Sequence, residues 1–578
     1  MNSENPKSAP GTLDIWVTTA IWCALMACAL FIRPLLPIDE TRYITVAWEM
    51  WNNHDYWVPT LNGEIYSHKP PFLFWFMDLA WSLFGVSEIS ARLIAPLFGL
   101  GALVITSKLA RELWSDAPCE TQTLRARMAP LMMVTGVYWA IFSTMTMFDM
   151  LVTFAAVVAI WGYVKAWKGF VTGQGFWRGM IIAGIGIGIG GLAKGPAILV
   201  HTLPVALFVP YWGPYMPQGR GGNAWRTWYI GVLISVLIGL ALTLAWAIPA
   251  ALIGGPEYRD AIFIKQSADR MVKSFAHRRP FYWFAMVMPA LLLPWTLWPK
   301  LWKQIGFRKA WQDRTGLRAS LHLGSVRMLL IWSGASFVIF SAISGKQPHY
   351  LLPIFPALAL LSAYFLSHED QTKETQPDKA QPSARAHKVP VLVLAVLSFV
   401  LYVGLQVKHL IEPLLKRPIP DWVDLIQPLW LLVGVAILGF IAFKRAHRAD
   451  SQVRLIALAS TSFLVFVYVA FAPALNVAYN LEPSAVQVKA YQDASRPVAY
   501  VGKYHGEFQF LGRLTQPLVP LKNIKEANVW AKDNPNGVVI DALRPQHVPP
   551  SPKPEHIFPY RGKVLVMWNA AHFFIPQQ

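Results

Sequence analysis

Residues 13–43, LDIWVTTAIWCALMACALFIRPLLPIDETRY, decide how the rest of the chain is read. The run from 13 to 33 holds about 20 mostly apolar residues, enough to cross a hydrocarbon core of about 30 Å as a helix. A secretory signal core is shorter, about 7–15 residues, and precedes a small-x-small cleavage site. This run ends in Arg33-Pro34, so it reads as a retained first span. Asp39-Glu40-Thr41-Arg42-Tyr43 follows at its far boundary, where carboxylates and an arginine are placed for chemistry.

Further runs of spanning length recur at 88–107, 128–147, 149–167, 179–193, 196–212, 228–253, 281–301, 326–344, 350–367, 389–410, 424–443 and 453–473. The expectation is a mainly α polytopic membrane protein of about 13 transmembrane helices, with 179–193 and 350–367 the shortest. Composition agrees: of 578 residues 54% are hydrophobic and 14% charged, against about 25% charged in soluble domains. Three cysteines, two of them in the first run, supply neither a disulfide framework nor a cysteine zinc site.

Against this apolar background stands a net charge of +19, from 51 Lys+Arg and 32 Asp+Glu. Positive residues favour cytoplasmic loops. With residue 1 inside, every inner loop is basic, and together these loops hold 25 of the 51. An odd number of spans then puts the C-terminus outside. The outer excess is the informative part, because short outer loops should avoid Lys and Arg. The outer segment 254–280 alone carries Arg259, Lys265, Arg270, Lys273, Arg278 and Arg279. That distribution implies recognition of lipid phosphates on the external face rather than of nucleic acid.

The spans fall in residues 1–474, with 34–87 as the first large outer segment and 254–280 as the second. Segment 34–87 is rich in Trp and Phe on a polar frame, as expected of short helices lying in the membrane interface. Residues 475–578 change character. Strand-like runs PVAYVG, GEFQFLG, GVVIDAL and GKVLVMWN alternate with polar helical stretches at 484–494 and 522–533, which predicts a small soluble α/β domain. Residues 368–388 read as a polar inner linker, and no repeat of 20–50 residues is evident.

Asp39 and Glu40 could act as base, as stabiliser of an oxocarbenium ion or as metal ligands, or as acidic first-turn residues of a helix. Tyr66-Ser67-His68-Lys69-Pro70-Pro71 holds a lysine on a stiff, extended frame suited to a phosphate. Its plainer reading is an interfacial anchor. Gly190-Gly191-Leu192-Ala193-Lys194-Gly195-Pro196 lacks the Ser or Thr of a phosphate loop and follows a span, so no nucleotide site is read there. Its glycines suit close helix packing, and Lys194 remains a candidate at the outer end. Asp149 stands at a span end, where an acid is a functional candidate or a helix cap. Ser344-Gly345-Lys346-Gln347-Pro348-His349-Tyr350 and the stretch from Arg270 to His277-Arg278-Arg279 place further cations outside, while His201 reads as a packed core residue. All these candidates fall on one side of the membrane. A transporter would instead cluster such groups near the midplane, so the pattern favours an enzyme.

At these residues the chain resembles the GT-C membrane glycosyltransferases of the protein O-mannosyltransferase superfamily, and within it the bacterial aminoarabinose (4-amino-4-deoxy-L-arabinose) lipid A transferases. The resemblance runs from about 30 to 370 and rests on DETRY (39–43), YSHKPP (66–71), FDM around Asp149, LAKGP (192–196), the Arg270/HRRPF loop and SGKQPHYLLPIFP (344–356). One departure is His68, where the family often has Glu before Lys-Pro. The resemblance implies an inverting transferase at the periplasmic face of the inner membrane. It would move aminoarabinose from undecaprenyl phosphate, the polyprenyl carrier, to a phosphate of lipid A, lowering surface negative charge and giving resistance to polymyxin. A protein O-mannosyltransferase-like enzyme, or a transferase to another envelope lipid, is the alternative. Carried over by position, Asp39, Glu40 and Asp149 are the catalytic candidates. Arg42, Tyr43, Tyr66, Lys69, Lys194, Arg259, Arg270, His277, Lys346 and Tyr350 are candidates for substrate and phosphate. Carboxylates and His68 could bind a divalent cation, although no ligand spacing demands one; the expected partners are lipids, and the expected state is a monomer.

Overall fold

The computed structural model describes residues 15–213, 223–263, 278–305, 321–375, 384–414 and 419–575. Among these, eight helices are long and apolar enough to cross a membrane, and four shorter apolar helices accompany them. The chain is thus a multi-pass, mainly helical membrane protein with a small C-terminal sheet.

Several of the thirteen expected runs coincide with one helix each, while others are divided; 196–212, for example, is split into Ala197–Leu207 and Val209–Trp212. The run 128–147 is divided at Gly136 into Cys119–Thr135 and Val137–Ser143. The run 281–301 is interrupted more severely, into Trp283–Leu291, a 3-10 turn at Trp295–Leu297 and Pro299–Ile305. Pro289 and Pro294 each remove a backbone donor there, which ends regular helix. An apolar cavity of about 650 Å³ opens beside this interruption, lined by Met288, Leu292, Leu293, Trp302 and Phe337 among others.

Helices Phe148–Thr172 and Phe176–Lys194 form an antiparallel hairpin whose backbones nearly touch. A Cβ on Gly179 would stand 2.3 Å from the Ala166 nitrogen, and one on Gly186 would stand 2.6 Å from that of Ala159. Only glycine permits that approach, as in small-residue packing between membrane helices. The hairpin brings the first turn of one helix, with Asp149, to the last turn of the other, with Lys194. Each charge sits at the helix end that favours its sign.

Residues 34–87 contain the helices Asp39–Asn53 and Phe72–Phe84, with a hairpin of β1 (Thr60–Leu61) and β2 (Glu64–Ile65) between them. Asn62 and Gly63 form its turn with φ 57° and 75°, the left-handed pair that two-residue hairpins need. The Glu49 carboxylate accepts from the Thr60 hydroxyl and from the Gly63 amide at 3.1 Å, pinning that turn.

The C-terminal sheet comprises β3 (Val498–Val501), β4 (Val519–Leu521), β5 (Val538–Leu543), β6 (His556–Tyr560) and β7 (Lys563–Asn569), in the order β4-β3-β5-β7-β6. β3 runs parallel to β4 and β5, whereas β7 is antiparallel to β5 and β6. Separate apolar clusters cover its two faces, one including Val488 of helix Glu482–Asp493, the other Ala527 and Ala531 of helix Ile524–Asp533. GEFQFLG, expected as a strand, instead contains the short helix Gln509–Gly512. It docks on the preceding region: Trp81 of helix Phe72–Phe84 stacks on Phe510 at 5.4 Å.

Candidate active site

The first turn of helix Asp39–Asn53 separates two adjacent carboxylates. Successive helical residues point about 100° apart, so Glu40 enters the protein while Asp39 stays at its surface. Glu40 is fully buried. It takes both terminal nitrogens of Arg33, the Leu36 amide at 2.9 Å and the Thr146 amide at 2.9 Å. Arg33 in turn donates to the Thr144 carbonyl at 3.2 Å. Burial pushes the Glu40 carboxyl up, but the charge and hydrogen bonds of Arg33, with Arg92 and the Thr146 amide, outweigh it and hold the group at about 2. Glu40 therefore ties the Asp39 turn to the loop before Asp149.

Asp39 is 47% exposed, and its partner is Arg42, whose Nη1 lies 3.6 Å from Oδ1. That is an ion pair too long for a hydrogen bond, so the carboxylate keeps its oxygens open. Tyr43, on the same helix, is buried with its ring edge-on to Phe148 at 5.0 Å. Burial first, then the charge of Asp39, keeps its phenol protonated well above the ordinary range. Tyr43 is thus a neutral hydroxyl in a charged site.

Phe148 is the hub that unites the remaining groups. Phe74 meets it edge-on at 5.5 Å, and Lys69 Nζ lies 5.7 Å from its ring centre. The Tyr66 ring packs between His68 at 5.3 Å and Phe74 at 6.3 Å. Next to Phe148, Asp149 is buried and receives Lys194 Nζ at 2.7 Å. The same ammonium lies 4.7 Å over the Tyr350 ring. After Lys194, the groups acting on the Asp149 charge include His349 and Lys69. Sequences hundreds of residues apart thus converge on one end of the helix bundle.

Two of the predicted phosphate ligands have partners within the chain. Lys346 is buried and donates to the Arg279 carbonyl at 3.1 Å and to the Ile343 carbonyl, tying the loop after helix Leu321–Ala342 to the Arg278–Gly345 bridge. Arg259 is 57% exposed and pairs with its neighbour Asp260 at 3.1 Å. Arg270 and His277 lie outside the described residues. Among the described residues, no three His, Cys, Asp or Glu side chains gather as a cation cage.

Sequence reasoning missed Phe148, which carries no charge to mark it, and His349, although the Lys346–Tyr350 motif contains it. It also missed a contribution from the C-terminal region. His505 Nδ1 lies 2.8 Å from Arg42 Nη2, Thr45 donates to the Gly506 carbonyl at 2.9 Å, and the Trp48 indole donates to the Leu514 carbonyl at 2.8 Å. No sequence signal links residues this far apart.

Comparison with known proteins agrees with this geometry. Residues 68–246 match the family described as Dolichyl-phosphate-mannose-protein mannosyltransferase. The structure superimposes on ArnT of Cupriavidus metallidurans with a TM-score of 0.71 at 18% identity, covering 97% of this chain and 99% of that one. The chain shares the fold of that protein. The same ArnT bound to undecaprenyl phosphate gives a TM-score of 0.69 at 20% identity over the same shares. An undecaprenyl phosphate-alpha-4-amino-4-deoxy-L-arabinose arabinosyl transferase of Serratia proteamaculans is 28% identical over 60% of this chain and 59% of its own length. Its counterpart in Aeromonas hydrophila is 28% identical over 76% of this chain and 74% of its own. The alignment with the Serratia relative thus spans under two thirds of that protein. The resemblance to the aminoarabinose transferases, read from the motifs, holds for sequence and fold alike.

Proposed function

We propose that this chain is an inverting, lipid-linked-sugar glycosyltransferase that moves 4-amino-4-deoxy-L-arabinose from undecaprenyl phosphate to a phosphate of lipid A. The observation that carries the reading is the outer-end cluster in which Asp39 stands open beside Arg42, while Asp149 is neutralised by Lys194. The names of the relatives supply the sugar and its carrier.

The chemistry follows from charge. A phosphomonoester has a second pKa near 6 and is mostly dianionic at neutral pH, so such an acceptor needs no general base. One of its oxygens attacks the anomeric carbon as the bond to the undecaprenyl phosphate oxygen breaks, with no net proton transfer and with inversion. Asp39 stabilises positive charge on the sugar, in its oxocarbenium-like transition state or its amino group. Arg42, Lys69 and the outer-loop Arg270 are the cations for the donor and leaving phosphate; Tyr43, Tyr66 and Tyr350 wall the site. Asp149, held by Lys194, orders the floor next to Phe148.

This reading places thirteen crossings in residues 1–474, with the site and the soluble domain of 475–578 on the periplasmic side of the inner membrane. The product carries an added amine, which lowers lipid A negative charge and with it the attraction of polymyxin. The test is transfer by the purified protein, with mass spectrometry of lipid A supplied with undecaprenyl phosphate-aminoarabinose. A mass increase of one aminoarabinose, lost in Lys69→Ala, supports the reading. The family match at 68–246 favours one second reading, protein O-glycosylation with Asp39 as base. Sugar found on Ser or Thr peptides, with lipid A unchanged, would establish that instead.

A further inference from the structure

The Arg42 guanidinium has an unusual partner. Arginine donates and cannot accept, so His505 Nδ1 must accept at 2.8 Å, which fixes the ring as neutral with its proton on Nε2. Burial, then the charges of Arg42, Lys503 and Arg561, lowers His505 to about 4, in keeping with that state. A carboxylate at this place would grip Arg42 harder but cancel its charge. A neutral imidazole fixes the group and leaves the charge for an anion. It also restrains Arg42 from closing fully on Asp39, which remains 3.6 Å away.

The imidazole is itself built in. The Thr41 hydroxyl donates to the His505 carbonyl at 3.3 Å. Gly506 has φ 76°, and a Cβ there would stand 2.8 Å from Thr45 Cβ and Oγ1, so the turn requires glycine on two counts. The His505 amide donates to the buried Glu507 carboxylate at 2.7 Å, and the Tyr560 hydroxyl of β6 donates to the other oxygen at 3.0 Å. A chain of contacts therefore runs from the sheet through Tyr560, Glu507 and His505 to Arg42 and the open face of Asp39.

We propose that His505, supplied by the C-terminal domain, is a positioning residue of the active site that holds Arg42 as a still-charged ligand for the phosphate of the lipid-linked donor. This rests on the glycosyltransferase reading above. The soluble domain on this view completes the site.

The test uses the full-length protein in lipid nanodiscs and two readouts, affinity for undecaprenyl phosphate alone and steady-state transfer. Asn puts its side-chain oxygen where Nδ1 lies, whereas Gln puts it near Nε2. His505→Asn should therefore stay within about threefold of the parent in both readouts. His505→Gln and His505→Ala should each weaken undecaprenyl phosphate binding and raise the donor KM by at least about tenfold, with an unchanged melting temperature. Arg42→Ala should be no worse when combined with His505→Ala, because coupled partners are non-additive. Equal impairment of His505→Asn and His505→Gln, parent-like His505→Ala, or an additive double variant would overturn the proposal. A parent that binds undecaprenyl phosphate yet glycosylates no acceptor would sink the functional reading, and the binding series would still decide the role of His505.

Discussion

Asp39→Asn removes a charge and almost nothing else, which makes it the sharpest probe of the mechanism. The side chain keeps its size, and the ion pair it loses is long and partly exposed, 3.6 Å from Arg42. Such pairs contribute about 0–1 kcal/mol, so folding should be untouched. The kinetic effect is different. At about 4 Å and an effective dielectric constant of about 20, a carboxylate stabilises a full positive charge by about 4 kcal/mol. A transition state carrying between half and all of that charge gains about 2–4 kcal/mol, which is roughly thirtyfold to a thousandfold in kcat. The assay is single-turnover transfer from undecaprenyl phosphate-aminoarabinose, scored beside a thermal melt of the same sample. Donor binding should change less than twofold, since the lost interaction belongs to the transition state. Retention of more than about a third of the parental rate would refute the electrostatic role. So would a rate loss that merely tracks a fall in melting temperature.

Glu40→Gln should behave in the opposite way. Removing one member of a buried ion pair costs about 3–5 kcal/mol, so the protein should melt markedly earlier, and lost activity should track lost fold. Acid should act through the same residue: with Glu40 at about 2 in the fold and an ordinary carboxyl near 4.3 unfolded, the unfolded state binds more protons between these values. Stability from Glu40 is therefore full above about 4.5 and falls as pH drops toward 2; melting curves in that window should flatten in Glu40→Gln. Lys194→Met leaves Asp149 buried without its ammonium and should impair stability and transfer together. Asp149→Asn combined with Lys194→Met should recover the melting temperature in part, because the stranded charge is gone. Gly506→Ala should loosen the docked turn and lower transfer more than it lowers the melting temperature of the membrane helices; equal losses would contradict that.

That Asp39, Lys69, Asp149, Lys194 and Tyr350 belong at one end of the bundle was legible because span length and loop charge are two independent guides to which residues share a side. What remained hidden has physical causes. Asp39 and Glu40 are indistinguishable as a dipeptide, and only the helix rotation sends one to the surface and the other to Arg33. The carbonyls of Arg279 and Ile343 that Lys346 meets are likewise invisible in its motif. Strands β4 and β6 escaped notice because each contains a proline, Pro520 and Pro559, and both form the edges of the sheet, where proline is tolerated. The link between Arg42 and His505 is a contact of the folded chain with no counterpart in local pattern.

The docking of residues 505–518 onto residues 41–62 has a consequence for biogenesis. Membrane helices are inserted in order as they are made, yet Trp48, Thr45 and Arg42 meet their partners only after the final span has emerged and the sheet has formed. Contacts between distant segments are the slowest to close. The environment of Arg42 should consequently be completed last and all at once, so that chains truncated before residue 505 lack it.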